Sequence, residues 1–342
     1  MNIIDITQYF QLGLSTPDII LQYEHDLRSN HQNMVDIEHA NELKKYSMYL
    51  TSNEFLNYIN ADMEKFVNEI AWKYPRVTFI LKGRIKSMVR FEEKFLGYVI
   101  DSCNTFYKNR KRVPTDEETA NYLQRYKDIV AYRVVVSIPR KNLKPGEDKT
   151  EEEIKILYDI ANSLPLFFRI QGYEIEKASK MVNQSSKPDK KMLRFTSGLT
   201  DNNRSFFKDY IMYKKRNGYQ SLHATIVATG HPGEVEIQLR TFDMDVLSET
   251  DENVNHLQYE KEQEKNRTAD SGIPAGLCDF YDEARGRYNR LHYYDFTQAD
   301  INLFKAKKIK SEGVEKLVVV DHDGVLYARQ IDPREFLYTI VN

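Results

Sequence analysis

Apolar residues after Thr51 fall at Phe55, Ile59, Met63, Phe66, Val67 and Ile70, the three-and-four spacing of one helix face. Thr51-Ser52-Asn53-Glu54 ahead of them has capping-box spacing, so a helix is expected to open there and to stop before Pro75. Thr16-Pro17 predicts an earlier helix through about Arg28. Beyond Pro75 the period changes. Residues 77–83 form an apolar run of strand length, and Phe91, Phe95, Tyr98 and Val99 return to helical spacing. A helix over 115–127, a buried strand over 129–138, a charged loop holding Pro145-Gly146 and a helix over 151–162 follow. Strands at 221–229 and 234–241 flank Gly230-His231-Pro232-Gly233, a hairpin composition. Strands alternating with helices predict an α/β (α+β) fold, a mixed sheet flanked by helices.

The last third reads differently. Residues 260–272 are a polar linker, 281–296 are rich in tyrosine, and Thr297 is expected to open a helix. Apolar runs at 316–320 and 325–331 bracket Asp321-His322-Asp323-Gly324, a second hairpin, and Asp332-Pro333 caps a short last helix. This divides the chain into N-terminal helices over 1–50, a central domain over 51–264 and a small α+β module over 265–342.

Composition narrows the class. Of 342 residues, 41% are hydrophobic and 12% aromatic, enough for a packed core and against a disordered chain. A net charge of −2 leaves room for local basic patches. Cys103 and Cys278 form no CxxC pair, which argues against a zinc site and fits a reducing compartment. The start of the chain lacks a signal-peptide pattern, and no apolar run approaches the roughly 20 residues of a membrane span. A cytoplasmic protein is expected.

Along residues 234–241 Val235, Ile237 and Leu239 alternate with Glu236, Gln238 and Arg240, so one strand face carries acid, amide and cation. Alone, that is a solvated strand face. The preceding strand bears His223 and is entered through Lys214-Lys215-Arg216-Asn217-Gly218-Tyr219-Gln220-Ser221. Lysines at a glycine turn suit phosphate oxygens, and a tyrosine suits a base. Lys82, Arg84, Lys86, Arg90 and Lys94 gather where a strand gives way to a helix, a further phosphate-binding arrangement. Asp128 precedes an apolar strand and could hold a metal or cap a turn.

Taken together, Gly83-Arg84-Ile85-Lys86 with Lys94, Asp128 through Arg133, Asp209 through His223 and Glu236 through Thr241 resemble the synthetase domain of the RelA/SpoT family, over roughly residues 50–260. The resemblance implies a nucleotidyltransferase-like five-stranded mixed sheet and a pyrophosphate transfer from ATP to a ribose 3′-hydroxyl. Arg84, Lys86, Lys94 and Arg140 would bind ATP, and Asp128 and Glu236 would bind Mg²⁺. Lys215 and His223 would join these acids in catalysis. Tyr219, Asn217, Gln220, Gln238 and Arg240 would hold the acceptor. Arg90 and Arg216 depart from the family's usual serine and proline, and Met244, Ser248-Glu249 and His256 keep only the outline of the segment after the last strand.

Long family members carry a His-Asp hydrolase ahead of the synthetase. Too few residues precede the synthetase strand to house that domain, so His25-Asp26, His31 and His39 read as a charged helical surface. Two acceptors remain open. Small alarmone synthetases use GDP or GTP, and related toxins, including CapRel-like fused toxin–antitoxins that sense phage proteins, use the 3′ CCA end of tRNA. The appended tail and the exposed-looking run Lys108, Arg110, Lys111 and Arg112, suited to an RNA backbone, favour tRNA. A catalytically dead binding module is the remaining alternative.

Overall fold

The computed structural model describes residues 16–29, 33–51, 53–178, 187–215, 217–229, 233–250, 279–293, 301–310, 313–315, 321–322 and 325–326. In chain order, α1 spans Thr16–Ser29, α2 Met34–Thr51 and α3 Asn53–Lys73. β1 (Thr78–Ile85) leads to α4 (Met88–Arg110) and α5 (Asp116–Tyr122). β2 (Val130–Ser137), α6 (Lys149–Ile170) and β3 (Tyr173–Ile175) follow, then the one-turn α7 (Asp201–Arg204). β4 (Phe207–Asp209), β5 (Leu222–Ala228), β6 (Glu234–Thr241) and α8 (Phe242–Thr250) come next. α9 (Asp279–Tyr293), β7 (Ile301–Lys310), β8 (Gly313–Glu315), β9 (Asp321–His322) and β10 (Val325–Leu326) complete the described elements.

These elements fall into two compact units, one within residues 1–52, 86–126 and 260–299, the other within 53–85, 127–259 and 300–342. The first is helical. α1 packs on α2, and α9 packs on α4. Ser87 caps α4, whose Phe91, Phe95 and Val99 are buried as their spacing predicts. α5 opens on a full capping box between Thr115 and Glu118 and ends at Tyr122, five residues before the expected end. The chain leaves the helix there, and buried Tyr126 stacks on Phe91 at 4.4 Å and donates to its carbonyl at 2.6 Å.

His39 does not lie on a charged surface. It is fully buried, stacks on Phe95 at 3.8 Å and shares a proton-bearing contact with Glu92, whose other oxygen accepts from Tyr23 Oη at 3.1 Å. His25 lies on α1, and His31 is outside the described residues. Buried Asp36, His39 and Glu42 interrupt the apolar stripe of α2, which is why periodicity alone does not reveal this helix. Its last residue is Thr51, so Thr51 does not cap α3.

The second unit is built on a mixed sheet in the order β3-β5-β6-β2-β1-β7-β8, with β4 on β5. β2 and β6 are parallel, and every other pair is antiparallel. The expected five strands are therefore extended to eight. The first four of those expected from sequence are found within about two residues of their predicted limits. Residues 301–310 form a strand rather than the helix predicted beyond Thr297, because the free edge of β1 supplies hydrogen-bond partners to an extended chain. Val325 pairs with His322, as the second hairpin requires. Residues 230–232, 260–272, 316–320 and the last predicted helix lie outside the described residues.

One face of the sheet is apolar and carries α3 and α6. Phe66 of α3 meets Phe167 and Phe168 of α6, and Tyr132 Oη of β2 donates to Asn60 Oδ1 at 2.5 Å. α6 continues eight residues past its expected end and runs through Pro165, because Leu164, Pro165, Phe167 and Phe168 are all buried against the sheet. Burial of such side chains, at about 1.5–3 kcal/mol each, offsets the helix hydrogen bond that proline cannot make. The opposite face is polar. The pairing register sets Lys208, His223, Gln238, Arg133 and Lys82 in one row across five strands.

The Glu92 cluster generates a stability prediction. Glu92→Ala removes the acceptor that Tyr23 and His39 share in the core and should destabilise the protein by about 3–5 kcal/mol. Glu92→Gln preserves shape and an acceptor oxygen and should cost about 1 kcal/mol. Denaturant unfolding of the two variants reads the difference, and equal midpoints would show that the cluster carries no weight.

Candidate active site

β5 and β6 bring the polar residues of the row into a closed hydrogen-bonded network. Arg240 Nη2 donates to Tyr219 Oη at 2.5 Å and to Gln238 Oε1 at 2.8 Å. Tyr219 Oη lies 2.9 Å from His223 Nε2, and His223 Nδ1 lies 3.0 Å from Glu236 Oε1. Gln238 Nε2 donates to Glu236 Oε2 at 2.7 Å. The donors are consistent if His223 is neutral with its proton on Nδ1: tyrosine then gives its proton to Nε2, and histidine gives its own to the carboxylate.

Burial is the largest influence on each group. It lowers His223, against the opposing pull of Glu236. Burial alone would raise Glu236, but its pairing with His223 and the hydrogen bond from Gln238 hold it well below the usual carboxylate range, while Asp128 pushes the other way. Asp128 therefore stands near Glu236 as a second acid. Burial also lowers Lys215, to about 8, with Lys208 and Arg240 adding to the effect and Glu236 opposing it. The Lys215 ammonium lies 4.6 Å from the ring centres of both Tyr210 and Tyr219. Gly218 makes this placement possible: its φ of 87° closes the turn in which its N–H donates to Lys215 O at 3.0 Å, a conformation that disfavours any side chain.

Asp245 escapes sequence inspection. From α8 it accepts Lys82 Nζ at 2.6 Å, Arg133 Nη1 at 2.8 Å and Arg240 Nη1 at 3.4 Å. Arg240 is fixed further by Ser248 Oγ at 2.5 Å. Asp245 is thus the counter-charge for three cations on three strands and, through Arg240, a positioning residue for Tyr219. Its one sequence signal is an acid placed about one turn into the helix that follows the Glu236 strand.

Residues 104–264 match the family model described as a region found in RelA / SpoT proteins. This segment belongs to the RelA/SpoT family. The bifunctional (p)ppGpp synthase/hydrolase SpoT of Escherichia coli strain K12 is 44% identical over 62 residues, 18% of this chain and 8% of that protein. A guanosine-3′,5′-bis(diphosphate) 3′-pyrophosphohydrolase of Escherichia coli O157:H7 matches to the same extent. The chain thus spans a small part of the curated relatives it matches. The crystal structure of small alarmone synthetase 1 from Bacillus subtilis aligns over 70% of this chain and 88% of its own, at 17% identity and a TM-score of 0.24.

The RelA/SpoT region contains Asp128, Lys215, Tyr219, His223, Glu236, Gln238 and Arg240, and the structure gathers them at β5, β6 and the start of β2. Asn217 Oδ1 accepts the Tyr219 N–H at 3.2 Å, and Gln220 Nε2 is buried without a hydrogen-bond partner among the described residues. Arg216 is outside the described residues. Arg140 is exposed beyond the far end of β2 from Asp128, roughly 25 Å or more along that strand, and is not brought to this group. Arg84 is the penultimate residue of β1, within the sheet unit. Lys86 and Lys94 belong to the helical unit, where Lys94 lies over the rings of Tyr98 and Tyr126. Lys108 and Arg110 end α4 and Lys111 caps it in a left-handed conformation, all exposed, whereas Arg112 is held by both oxygens of Glu118.

Asp128 and Glu236 suit a hard cation such as Mg²⁺, which is commonly bound by one or two carboxylates together with substrate phosphates. Glu236 accepts one hydrogen bond on each oxygen and so keeps lone pairs for a ligand. Among the described residues no group of three or more His, Cys, Asp or Glu forms a complete protein cage. No described helix is long and apolar enough to cross a membrane.

Burial alone would raise Asp245, yet Arg133, Lys82 and Arg240 hold it well below the usual carboxylate range. A depressed folded-state value contributes stability above the unfolded aspartate's ordinary value of about 4 and loses it as pH falls. Asp245→Asn should therefore lose about 3–5 kcal/mol at pH 7. Thermal unfolding should show the gap to wild type shrinking on acidification below about pH 4. A constant gap from pH 7 to pH 3 would rule out the charge as its cause.

Proposed function

We propose that the chain is an ATP-dependent pyrophosphokinase that transfers pyrophosphate to the ribose 3′-hydroxyl at the CCA end of tRNA. The observation that carries the transfer is the ionised Glu236, fixed through both oxygens beside Asp128 on a sheet face that also presents Lys215 and His223. In this reaction the 3′-hydroxyl oxygen bonds to the β-phosphorus of ATP. The bond from that phosphorus to the α–β bridging oxygen breaks, AMP departs with the electron pair, and the hydroxyl proton passes to solvent. Such a transfer needs alignment and charge neutralisation rather than a nucleophile on the protein.

Lys215 supplies positive charge at neutral pH and, with Arg84, is assigned to phosphates. Tyr219, Asn217, Gln220, Gln238 and Arg240 are assigned to the acceptor, whose ring platform is kept in one orientation by the Arg240–Tyr219–His223 bonds. Asp128 and Glu236 would hold Mg²⁺, which when bound would neutralise phosphate charge. The exposed cations of Lys108, Arg110 and Lys111 support a polynucleotide acceptor. The names of the relatives concern guanosine phosphates instead, so GDP or GTP is the competing acceptor. The tail beyond 265 is read as a restraining, antitoxin-like module that responds to a foreign protein such as one from a phage. Its strand β7 occupies the edge of β1 and so joins this tail to the sheet that carries Glu236.

Purified protein with ATP labelled in its terminal phosphates, offered tRNA and GDP side by side, tests both levels. Label on tRNA is expected, and label on GDP alone would transfer the assignment to an alarmone synthetase. Glu236→Gln keeps shape and loses charge, and should slow transfer some hundreds-fold, corresponding to ~3–4 kcal/mol. Activity within about threefold of wild type would remove Glu236 from the mechanism.

The lowered value of Lys215 adds a pH dependence. Its charge is present below about 8 and lost as pH rises through that value, so kcat/KM, which reports the free enzyme, should fall on an alkaline limb near pH 8. Lys215→Arg keeps its charge to far higher pH and should flatten that limb even where the maximal rate is reduced. An unchanged limb in the variant would assign it to another group.

A further inference from the structure

Residues 187–196 form a basic turn fastened to the entrance of the acceptor loop. The Asp189 N–H donates to Met212 O at 2.8 Å, and Asp189 Oδ2 pairs with Lys214 Nζ at 3.1 Å, next to Lys215 in sequence. Asp189 Oδ1 accepts the Lys191 N–H at 2.8 Å, Met192 is buried beneath the turn, and residues 192–194 close a single tight helical turn. Lys190, Lys191 and Arg194 project from this anchored frame and are exposed, as is Leu193 between them. The one acid of the segment is committed to Lys214, and none of the three cations has a carboxylate partner among the described residues.

Several other surface cations of the same unit are neutralised where they stand: Lys73 by Asp159, Arg76 by Glu147, Lys127 by Glu176 and Lys155 by Glu152. Lys190, Lys191 and Arg194 have no such partner among the described residues, and their turn is fastened to Met212 and Lys214, at the entrance of the acceptor loop. A mononucleotide seated at Tyr219 has its phosphates within the site and leaves this turn unused. A polynucleotide whose 3′ end enters the acceptor loop must carry its preceding phosphates out of the site.

We infer that Lys190, Lys191 and Arg194 form the surface that receives those backbone phosphates, holding an RNA strand whose 3′ terminus lies at Tyr219. The inference rests on the polynucleotide acceptor proposed above and locates where that acceptor is held. The rigid fastening through Asp189 keeps the cations ordered before the strand arrives, which lowers the entropy lost on binding. Leu193 offers the sugars or bases an apolar contact between the charges.

Fluorescence anisotropy with a labelled RNA hairpin ending in single-stranded CCA tests this without relying on turnover. The full-length variant Lys190→Ala/Lys191→Ala/Arg194→Ala should bind at least about tenfold more weakly at 0.15 M salt. Its logarithmic salt slope should be shallower by about 2, given roughly 0.7 per single-strand phosphate contact. A charge-matched control, Lys73→Ala/Arg76→Ala/Lys155→Ala, should bind as wild type does, and parallel loss in both variants would reduce the effect to net charge. Absent wild-type binding, or equal binding and slope in wild type and the turn variant, overturns the inference. If the turn variant loses RNA binding while wild type labels GDP and never tRNA, the surface stands and the proposed acceptor falls.

Discussion

Lys82, Arg133 and Arg240 stand on three different strands, and without an acid among them they would repel one another on a half-buried sheet face. Asp245 removes that repulsion by accepting from all three. The consequence spreads beyond stability. Arg240 can then spend its remaining N–H groups on Tyr219 and Gln238, and these in turn fix His223 and Glu236. α8 is therefore more than a cover for one edge of the polar face. It supplies the charge that lets the neighbouring cations be aimed.

The same face separates charge states among close neighbours. Burial by itself would neutralise every ionisable group there. Glu236 stays ionised because histidine and amide donors converge on it, and Lys215 sits near 8 because burial and nearby cations outweigh the attraction of Glu236. A site for polyphosphate, as proposed for this face, would gain from this balance. Cations held at high local density are strained electrostatically until anionic oxygens enter, so phosphate binding relieves repulsion as well as adding attraction.

Much of this was legible in the chain. The apolar runs of β1, β2, β5 and β6 sit within a residue or two of their predicted limits, because a strand buried on the core side leaves an uninterrupted apolar signature. Alternation along β6 identified Glu236, Gln238 and Arg240 as one face, and the structure joins them by hydrogen bonds. Other features left no local trace. β3 and β4 are three residues each, too short for any period. α2 hides behind buried polar residues whose partners, such as Glu92 for His39, lie far away in sequence. β7 is a strand because β1 offers it an edge, which no window of residues 301–310 contains. Asp245 acquires its role from residues up to 163 positions away.

Unpartnered charge at a protein surface gains meaning from the alternatives available to it. Arg112 was read with its neighbours as part of an RNA-facing run, yet Glu118 already occupies its fork on both prongs, and a phosphate would have to compete with a bidentate carboxylate. Lys190, Lys191 and Arg194 face no such competitor. A surface pair screened by salt stabilises a fold by little, so neutralising these three would have been inexpensive for the sequence, and Asp189 shows that an acid fits within the same turn. That acid is turned inward to Lys214, where it anchors the loop and leaves the outer charges uncompensated. Rigid attachment combined with uncancelled charge is the arrangement that a polyanion leaving the acceptor loop would require.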